Sequence, residues 1–244
     1  MRTILTTGCL AAALCTLAQS KPLLQNGGFE ILDKEPTTYD QLKYATEWTN
    51  VTIGYSELFT KGAPAKTIGI PDNDYGHMDP KEGEYYAGFC AWKDDVRADP
   101  NGDPDDPFQP GWNVYSEYLM APLNIPMVEG HTYHVVIHFA LSGNSDRAVA
   151  GLGAYFSPMP LHYEHRKFLQ ERPQVVGDSL LAEKGKWVTV EGEFVADGGE
   201  RYIVLGCFPT ATFDTKKLIE GPDNRYAYYY VDAVKVEEVQ VPTR

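Results

Sequence analysis

The last regular segment of the chain constrains the fold more than any other feature. Residues 228–236 read Tyr-Tyr-Tyr-Val-Asp-Ala-Val-Lys-Val, and such aromatic and β-branched residues favour a strand. Asp232 is the one acid inside this apolar run. Near the start, residues 26–30 read Asn-Gly-Gly-Phe-Glu, a turn-forming sequence that ends in Glu30. A glycine turn at the start and an acid-containing apolar strand at the end predict a sandwich whose first and last strands lie side by side.

The rest of the chain predicts a single all-β domain. It has 244 residues, of which 43% are hydrophobic, with 16 Tyr and 10 Phe, and this supplies a large core rich in strand-forming residues. Strand-like segments recur between clusters of Pro, Gly, Asn and Asp, which favours a sandwich over βαβ units. The clearest segments are residues 132–140, 150–156, 187–194 and 202–208. Short helical turns are expected around 39–44 and 163–170, while 93–111 and 158–179 read as long loops.

The charge of the chain excludes several classes of partner. Lys and Arg number 21 against 34 Asp and Glu, so the formal net charge is −13. A surface this acidic repels nucleic-acid phosphates and anionic lipids, which argues against a general nucleic-acid or membrane-surface binder. The same surface attracts divalent cations.

The first eighteen residues predict a cleaved signal peptide. Arg2 supplies a positive start, residues 4–17 form a short apolar stretch, and Thr16 and Ala18 are the small residues expected before a cleavage site. Cleavage after Ala18 leaves residues 19–244 as one mature domain. No second apolar run is long enough to span a membrane. The expected location is the periplasm, the outer-membrane surface or the medium.

Two cysteines, Cys90 and Cys207, remain in the predicted mature chain. Both lie in strand-like runs. Export permits a disulfide between them. The alternative is a pair of buried thiols that only pack, because free cysteine is among the most buried residue types.

A series of short motifs occurs in a fixed order along the chain. The motifs are Asn26-Gly-Gly-Phe-Glu30, Trp48-Thr-Asn50, Gly83-x-Tyr85-Tyr-Ala-Gly88, Glu117-Tyr-Leu-x-x-Pro122, Gly153-Ala-Tyr-Phe-Ser157, Trp187-x-x-Val190 and Tyr229-Tyr-Val-Asp232. Together they resemble the N-terminal jelly-roll, carbohydrate-binding-module-like domain of bacterial envelope proteins of the OmpA family. The resemblance implies a galactose-binding-like β-sandwich at the cell envelope, here without the OmpA-like C-terminal domain, and it supplies no ligand or catalytic set.

A structural Ca²⁺ is the first candidate site. Jelly-roll modules similar to this one often hold Ca²⁺ where the first turn meets the last strand. Glu30 and Asp232 would supply carboxylates there, with carbonyl oxygens of the turn at 26–28 completing an oxygen shell. The alternative is that Asp232 caps a local turn and Glu30 is solvated.

Aromatic residues beside an acidic loop form the second candidate site. Residues 94–106 carry six Asp side chains, and Trp92, Trp112 and Tyr115 flank them. The missing Glu at the twelfth position of a calcium loop favours a solvated acidic loop over a metal site. Flat rings next to acids suit sugar binding, although most aromatic residues are buried for packing.

The sequence contains no strong catalytic signal. No Gly-x-Ser-x-Gly motif occurs, and His162-Tyr-Glu-His165 is one residue too short for the inverted zincin motif. The favoured reading is a non-catalytic exported envelope module that binds a glycan or an envelope protein. Two alternatives stay open: a structural subunit of an outer-membrane or secretion-associated assembly, and a glycosidase with paired carboxylates. A glycan binder should show aligned rings, and an enzyme two carboxylates in a pocket.

Overall fold

The computed structural model describes residues 22–94, 97–103, 106–109, 114–209, 215–218 and 226–239. Two antiparallel sheets contain most of the strands. The six-stranded sheet consists of β2 (Glu57–Thr60), β5 (Tyr85–Asp94), β8 (Val114–Tyr115), β10 (Thr132–Leu141), β14 (Val188–Val195) and β17 (Tyr226–Glu238). The five-stranded sheet consists of β1 (Thr49–Asn50), β9 (Leu119–Pro122), β12 (Leu152–Ser157), β13 (Val175–Val176) and β15 (Tyr202–Cys207).

The remaining elements are short. They are a 3₁₀ turn at Leu42–Tyr44 and the two-stranded pairs β3 (Asp72–Asn73) with β4 (Gly76–His77), β6 (Arg97–Asp103) with β7 (Asp106–Gln109), and β11 (Arg147–Val149) with β16 (Thr215–Lys217). No helix in the described ranges has the length and apolar character needed to cross a membrane.

Alternating side chains explain why the two sheets pack face to face. Along β10, Tyr133, Val135, Ile137 and Phe139 are almost fully buried between the sheets, while His134 and the other even positions face outward. Successive side chains of a strand point to opposite faces, so this pattern buries one face of the sheet. In the order β14-β10-β17-β5-β2, β10 and β17 are central. The predicted all-β jelly-roll sandwich is confirmed.

The two ends of the domain lie side by side. The N–H of Leu23 donates to the carbonyl of Val236 at 3.0 Å, and the N–H of Val234 donates to the carbonyl of Gly27 at 2.9 Å. A Cβ atom at Gly27 would lie 1.9 Å from the carbonyl oxygen of Val234. Only glycine therefore permits this close approach between the first turn and the last strand.

Three local expectations need correction. The helical turn expected at 39–44 is limited to the 3₁₀ turn at Leu42–Tyr44, and 163–170 contains no helix. The loop expected over 93–111 contains the paired strands β6 and β7. In all three places the local propensity was weak, so pairing and packing with distant segments decided the outcome.

The disulfide considered for Cys90 and Cys207 is not formed, and both are free, buried thiols. Cys90 belongs to the cluster on the outer face of the six-stranded sheet, whereas Cys207 belongs to the core between the sheets. A bridge requires Cα atoms within about 7 Å and converging side chains. The placement of the two thiols on different faces and in different sheets explains why they pack separately.

Candidate functional site

The outer face of the six-stranded sheet carries a second aromatic cluster. It contains Phe59 of β2, Tyr86 of β5 and Tyr230 of β17. The segment that includes β3 and β4 covers part of this face, because Asn73 accepts a hydrogen bond from the hydroxyl of Tyr230 at 2.7 Å and donates to that of Tyr86 at 3.1 Å. This part of the face is therefore closed.

Five residues at the other end of the cluster form what we call the tyrosine–carboxylate site: Glu57, Tyr75, Tyr115, Glu117 and Tyr228. Glu57 and Tyr228 lie on β2 and β17, Tyr115 is on β8, and Tyr75 lies between β3 and β4. The two carboxylates are buried, with 4% of each residue exposed, while Tyr75 and Tyr115 are half-buried. The site thus has an acidic floor and a partly open aromatic rim.

Each carboxylate oxygen of the site accepts one hydrogen bond. Glu57 accepts from the hydroxyl of Tyr75 at 3.1 Å through Oε1 and from the hydroxyl of Tyr228 through Oε2. Glu117 accepts from the hydroxyl of Tyr115 through Oε1 and from the backbone N–H of Cys90 at 2.7 Å through Oε2. These bonds offset much of the cost of burying the acids.

Two glycines make room for these contacts. A Cβ atom at Gly88 would lie 2.5 Å from the Tyr228 hydroxyl oxygen, because that ring crosses β5 above Gly88 to reach Glu57. A Cβ atom at Gly54 would lie 2.8 Å from Cγ of Glu117. Both distances are shorter than any normal carbon contact. The ring of Tyr75 then stacks on that of Tyr228, with centroids 3.6 Å apart and planes 9° apart.

Burial and charge raise the proton affinity of the site. Desolvation, followed by the nearby Glu117, raises the pKa of Glu57 well above its usual value. Desolvation also raises the pKa of Glu117 to about 7. Asp40 raises the pKa of both carboxyls further, and the exposed Lys93 partly offsets this at Glu117. Two buried carboxylates in one site repel each other, so at least one favours the protonated form near neutral pH.

The rim of the site combines ring faces with exposed charges. The guanidinium of Arg166 lies 5.5 Å from the centre of the Tyr115 ring, and the Tyr39 ring meets the edge of Tyr75 at 6.5 Å. Such a rim can pack against the C–H faces of a sugar while hydroxyl and carboxyl oxygens bond its hydroxyl groups. Arg166 and Asp40 are exposed and add both signs of charge to the rim.

The structure separates the aromatic residues that the sequence grouped together. Tyr115 belongs to the outer-face cluster, whereas Trp92 packs against the core between the sheets and carries the Arg147 guanidinium 4.5 Å from its ring centre. Trp112 lies outside the described residues. The predicted set of Trp92, Trp112 and Tyr115 is therefore not seen as one surface, and only Tyr115 is placed in the candidate site.

Glu30 and Asp232 hold the two ends of one loop. Asp232 accepts hydrogen bonds from the N–H groups of Lys81 at 2.8 Å and Glu82 at 3.1 Å, while Glu30 accepts from those of Glu84 at 2.9 Å and Tyr85 at 3.0 Å. Both acids thus bind backbone amides of residues 81–85. Within the described part of the chain, no three His, Cys, Asp or Glu side chains form a group that could hold a metal.

Calcium binding at Glu30 and Asp232 stays a prediction. If Ca²⁺ binds there, a melt of the mature protein with Ca²⁺ should show a higher melting temperature than one with EGTA, because a ligand that binds only the folded state stabilises it. The variant Glu30→Gln should abolish that difference. Equal melting temperatures with Ca²⁺ and EGTA would instead leave the two acids as loop anchors alone.

The sequence carries a signal for the two carboxylates. Glu57 and Glu117 both follow a serine and both precede apolar residues, in Ser-Glu-Leu-Phe and Ser-Glu-Tyr-Leu. An acid inside a strand-like apolar run, like Asp232, needs a partner once it is buried. Tyr75 and Tyr228 carried no comparable signal, because tyrosine is common throughout the chain.

Comparison with known proteins gives similarity in structure only. No protein-family model matches the chain, and no curated protein matches it. The envelope-family resemblance therefore stays a prediction.

Several solved structures are similar over most of the chain. The CBM22-1 xylan-binding domain of Xyn10C from Paenibacillus barcinonensis is 12% identical over 91% of this chain and 97% of that domain, with a TM-score of 0.42. TmCBM61 in complex with β-1,4-galactotriose is also 12% identical, over 90% of this chain and 100% of that chain, with a TM-score of 0.42. The K2 cleaved adhesin domain of Lys-gingipain is 11% identical, over 88% of this chain and 97% of that domain, with a TM-score of 0.38. Because these sequence identities and TM-scores are low, the function has to be inferred from the residues of this chain.

Proposed function

We propose that this chain is a non-catalytic, glycan-binding module of an exported cell-envelope protein, and that it holds its ligand at the tyrosine–carboxylate site. The observation that carries the proposal is the pairing of the half-buried rings of Tyr75 and Tyr115 with the carboxylates of Glu57 and Glu117. Apolar ring faces with a few converging polar groups are the usual make-up of a small-ligand site. Export is proposed from residues 1–18, whose sequence has the pattern of a signal peptide.

The chemistry of the site suits an uncharged sugar. Each tyrosine hydroxyl donates to a carboxylate, which leaves the phenolic oxygen able to accept a bond from a sugar hydroxyl. An anionic ligand would face Asp40 and the two buried acids, and the chain as a whole carries a net charge of −13. A neutral polyol can bond these groups without adding a charge that must be desolvated.

Truncation of the rim tyrosines is expected to weaken glycan binding. A glycan array, which includes β-1,4-galactotriose and xylan oligosaccharides, would identify the ligand for calorimetric titration. Tyr75→Ala and Tyr115→Ala should each weaken binding by about tenfold or more, because a ring contact contributes roughly 1–2 kcal/mol. The matched control is Tyr155→Ala, since Tyr155 is half-buried against the outer face of the other sheet.

Two results would contradict the proposal. One is an array without any retained oligosaccharide. The other is a loss of affinity in Tyr155→Ala as large as in the rim variants, which would indicate general destabilisation. Thermal melts of all three variants separate a lost contact from a lost fold.

The two carboxylates also favour a second candidate, a glycosidase. Such enzymes use a pair of acids, one of which holds a proton near neutral pH. Glu57 and Glu117 have that character, but each is only 4% exposed. Incubation of bound oligosaccharides with the protein, followed by a reducing-end assay, decides between the two. We expect intact sugars, and release of new reducing ends that is lost in Glu117→Gln would establish the enzyme instead.

A further inference from the structure

Within the described ranges, the carboxyl pair has hydrogen-bond donors but no cation bonded to it. All four oxygens of Glu57 and Glu117 accept a bond, three from tyrosine hydroxyls and one from a backbone N–H. Among the described residues, no Lys or Arg nitrogen forms an ion pair with either carboxylate. Two negative charges in a buried site without a paired cation are costly, and one proton on either carboxyl removes one of them.

The two acids are held close together by one strand. Glu57 pairs with Gly88 of β5, and Glu117 bonds the N–H of Cys90. These two positions on β5 are two residues apart, which is about 7 Å along a strand. The carboxylate of Glu57 meets the hydroxyl of Tyr228, whose oxygen would lie 2.5 Å from a Cβ atom at Gly88.

Among the described residues, the groups that face the pair place no positive charge inside the site. The pair is approached by one acid, two exposed cations and four neutral groups from the surrounding elements, namely Asp40, Lys93, Arg166, Cys90, Tyr75, Tyr115 and Tyr228. Burial raises the pKa of Cys90 and Tyr228, so both remain neutral. The carboxyl pair is therefore the titrating unit of the site.

A proton on Glu57 would reverse one hydrogen bond. The protonated carboxyl has an O–H to donate, and the phenolic oxygen of Tyr75 lies 3.1 Å from Oε1. Once the phenolic oxygen of Tyr75 accepts this bond, its hydroxyl no longer donates to Oε1 of Glu57. Its proton is free to turn toward the half-open side of the site. Tyr115 and Glu117 allow the same reversal.

We propose that the Glu57–Glu117 pair takes up one proton when the tyrosine–carboxylate site binds an uncharged sugar, and that this proton turns the hydroxyl of Tyr75 or Tyr115 toward an oxygen of the ligand. The proton comes from solvent and rests on a carboxyl oxygen, so no other bond forms or breaks. This inference rests on the proposed function and adds the charge class of the ligand and its coupling to protons.

The coupling has a definite sign. A neutral ligand that covers the site removes water from the carboxyls and accepts a bond from the reversed tyrosine, so both effects favour the protonated pair. Affinity should therefore fall with rising pH, by about tenfold per pH unit once the free pair has lost its proton. A ligand with an ammonium group would favour the charged pair and release a proton instead.

The experiment is calorimetric titration of the full chain with the oligosaccharide retained on the array. It is repeated across pH and in two buffers of different ionisation enthalpy. Above the pH at which the free pair loses its proton, the wild type should take up close to one proton per sugar bound, and well below that pH close to none. Glu57→Gln and Glu117→Gln supply an amide N–H to the same tyrosines without titrating, so each should bind with a much smaller pH dependence. Tyr155→Ala should keep the wild-type dependence.

Carbon-13 NMR of glutamate carboxyls, assigned with the two Gln variants, measures where the pair titrates without any ligand. Two carboxyls that titrate at ordinary glutamate pH values would overturn the inference. Binding without proton uptake at a pH where the free pair has lost its proton, or binding with proton release, would overturn the inference and leave the proposed function standing. If neither the wild type nor Glu57→Gln binds the sugar at any pH, both the inference and the proposed function are overturned.

Discussion

Lowering the pH from about 8.5 to about 5.5 is expected to stabilise the protein by several kcal/mol. Burial raises the pKa of Glu117 and of Asp232 to about 7, and that of Glu57 well above its usual value. A carboxyl whose folded-state pKa lies above its unfolded-state pKa stabilises the fold while it is protonated, and this contribution is lost as pH rises through the folded-state pKa. Linkage gives about 2 kcal/mol for each of Glu117 and Asp232 over this interval.

Urea unfolding at a series of pH values measures the effect as a change in the free energy of unfolding. Glu117→Gln should reduce the change in the free energy of unfolding with pH by roughly the contribution of one carboxyl, because its amide cannot titrate. The exposed Glu191→Gln is the matched control and should leave the slope unchanged. A wild-type protein that is equally stable at both pH values, or more stable at the alkaline one, would show that the buried acids stay ionised.

Gly88→Ala is expected to destabilise the fold by about 2–3 kcal/mol, which is typical of forcing a methyl group into a packed core. The new Cβ atom would lie 2.5 Å from the hydroxyl oxygen and 2.7 Å from a ring carbon of Tyr228, and also 2.7 Å from Phe59. Because Tyr228 is fully buried and stacked on Tyr75, its ring cannot move aside without breaking its bond to Glu57. The same variant should therefore also weaken glycan binding.

Gly192→Ala is the control for Gly88→Ala. Gly192 lies in β14, where the nearest atom to an added Cβ is a methyl carbon of Val175 at 3.3 Å, and a small shift of that side chain relieves the contact. The control should lose less than about 1 kcal/mol. Equal losses in the two variants would mean that glycine is needed in these strands for a reason other than the path of the Tyr228 ring.

The jelly-roll architecture could be predicted because its signals are local. The alternation in 132–140 and the aromatic strand at 228–236 each predict one buried face from residues that are neighbours in sequence. The meeting of the ends was predicted in the same way, from a glycine turn and an acid-marked strand. The choice between a disulfide and two buried thiols could not be made from the sequence, because it depends on which face and which sheet each cysteine occupies, and these are not local properties.

The sequence by itself determined the sandwich and the existence of acids inside apolar strands. Only the tertiary structure decided that Glu57, Tyr75, Glu117 and Tyr228 meet, because they come from segments up to 171 residues apart. Their meeting depends on Gly88, which lets one ring cross β5, and on the segment around β3 and β4, which places Tyr75 over that ring. Carboxyl pKa values and ring stacking act over a few ångströms in space, so spacing along the chain could not reveal them.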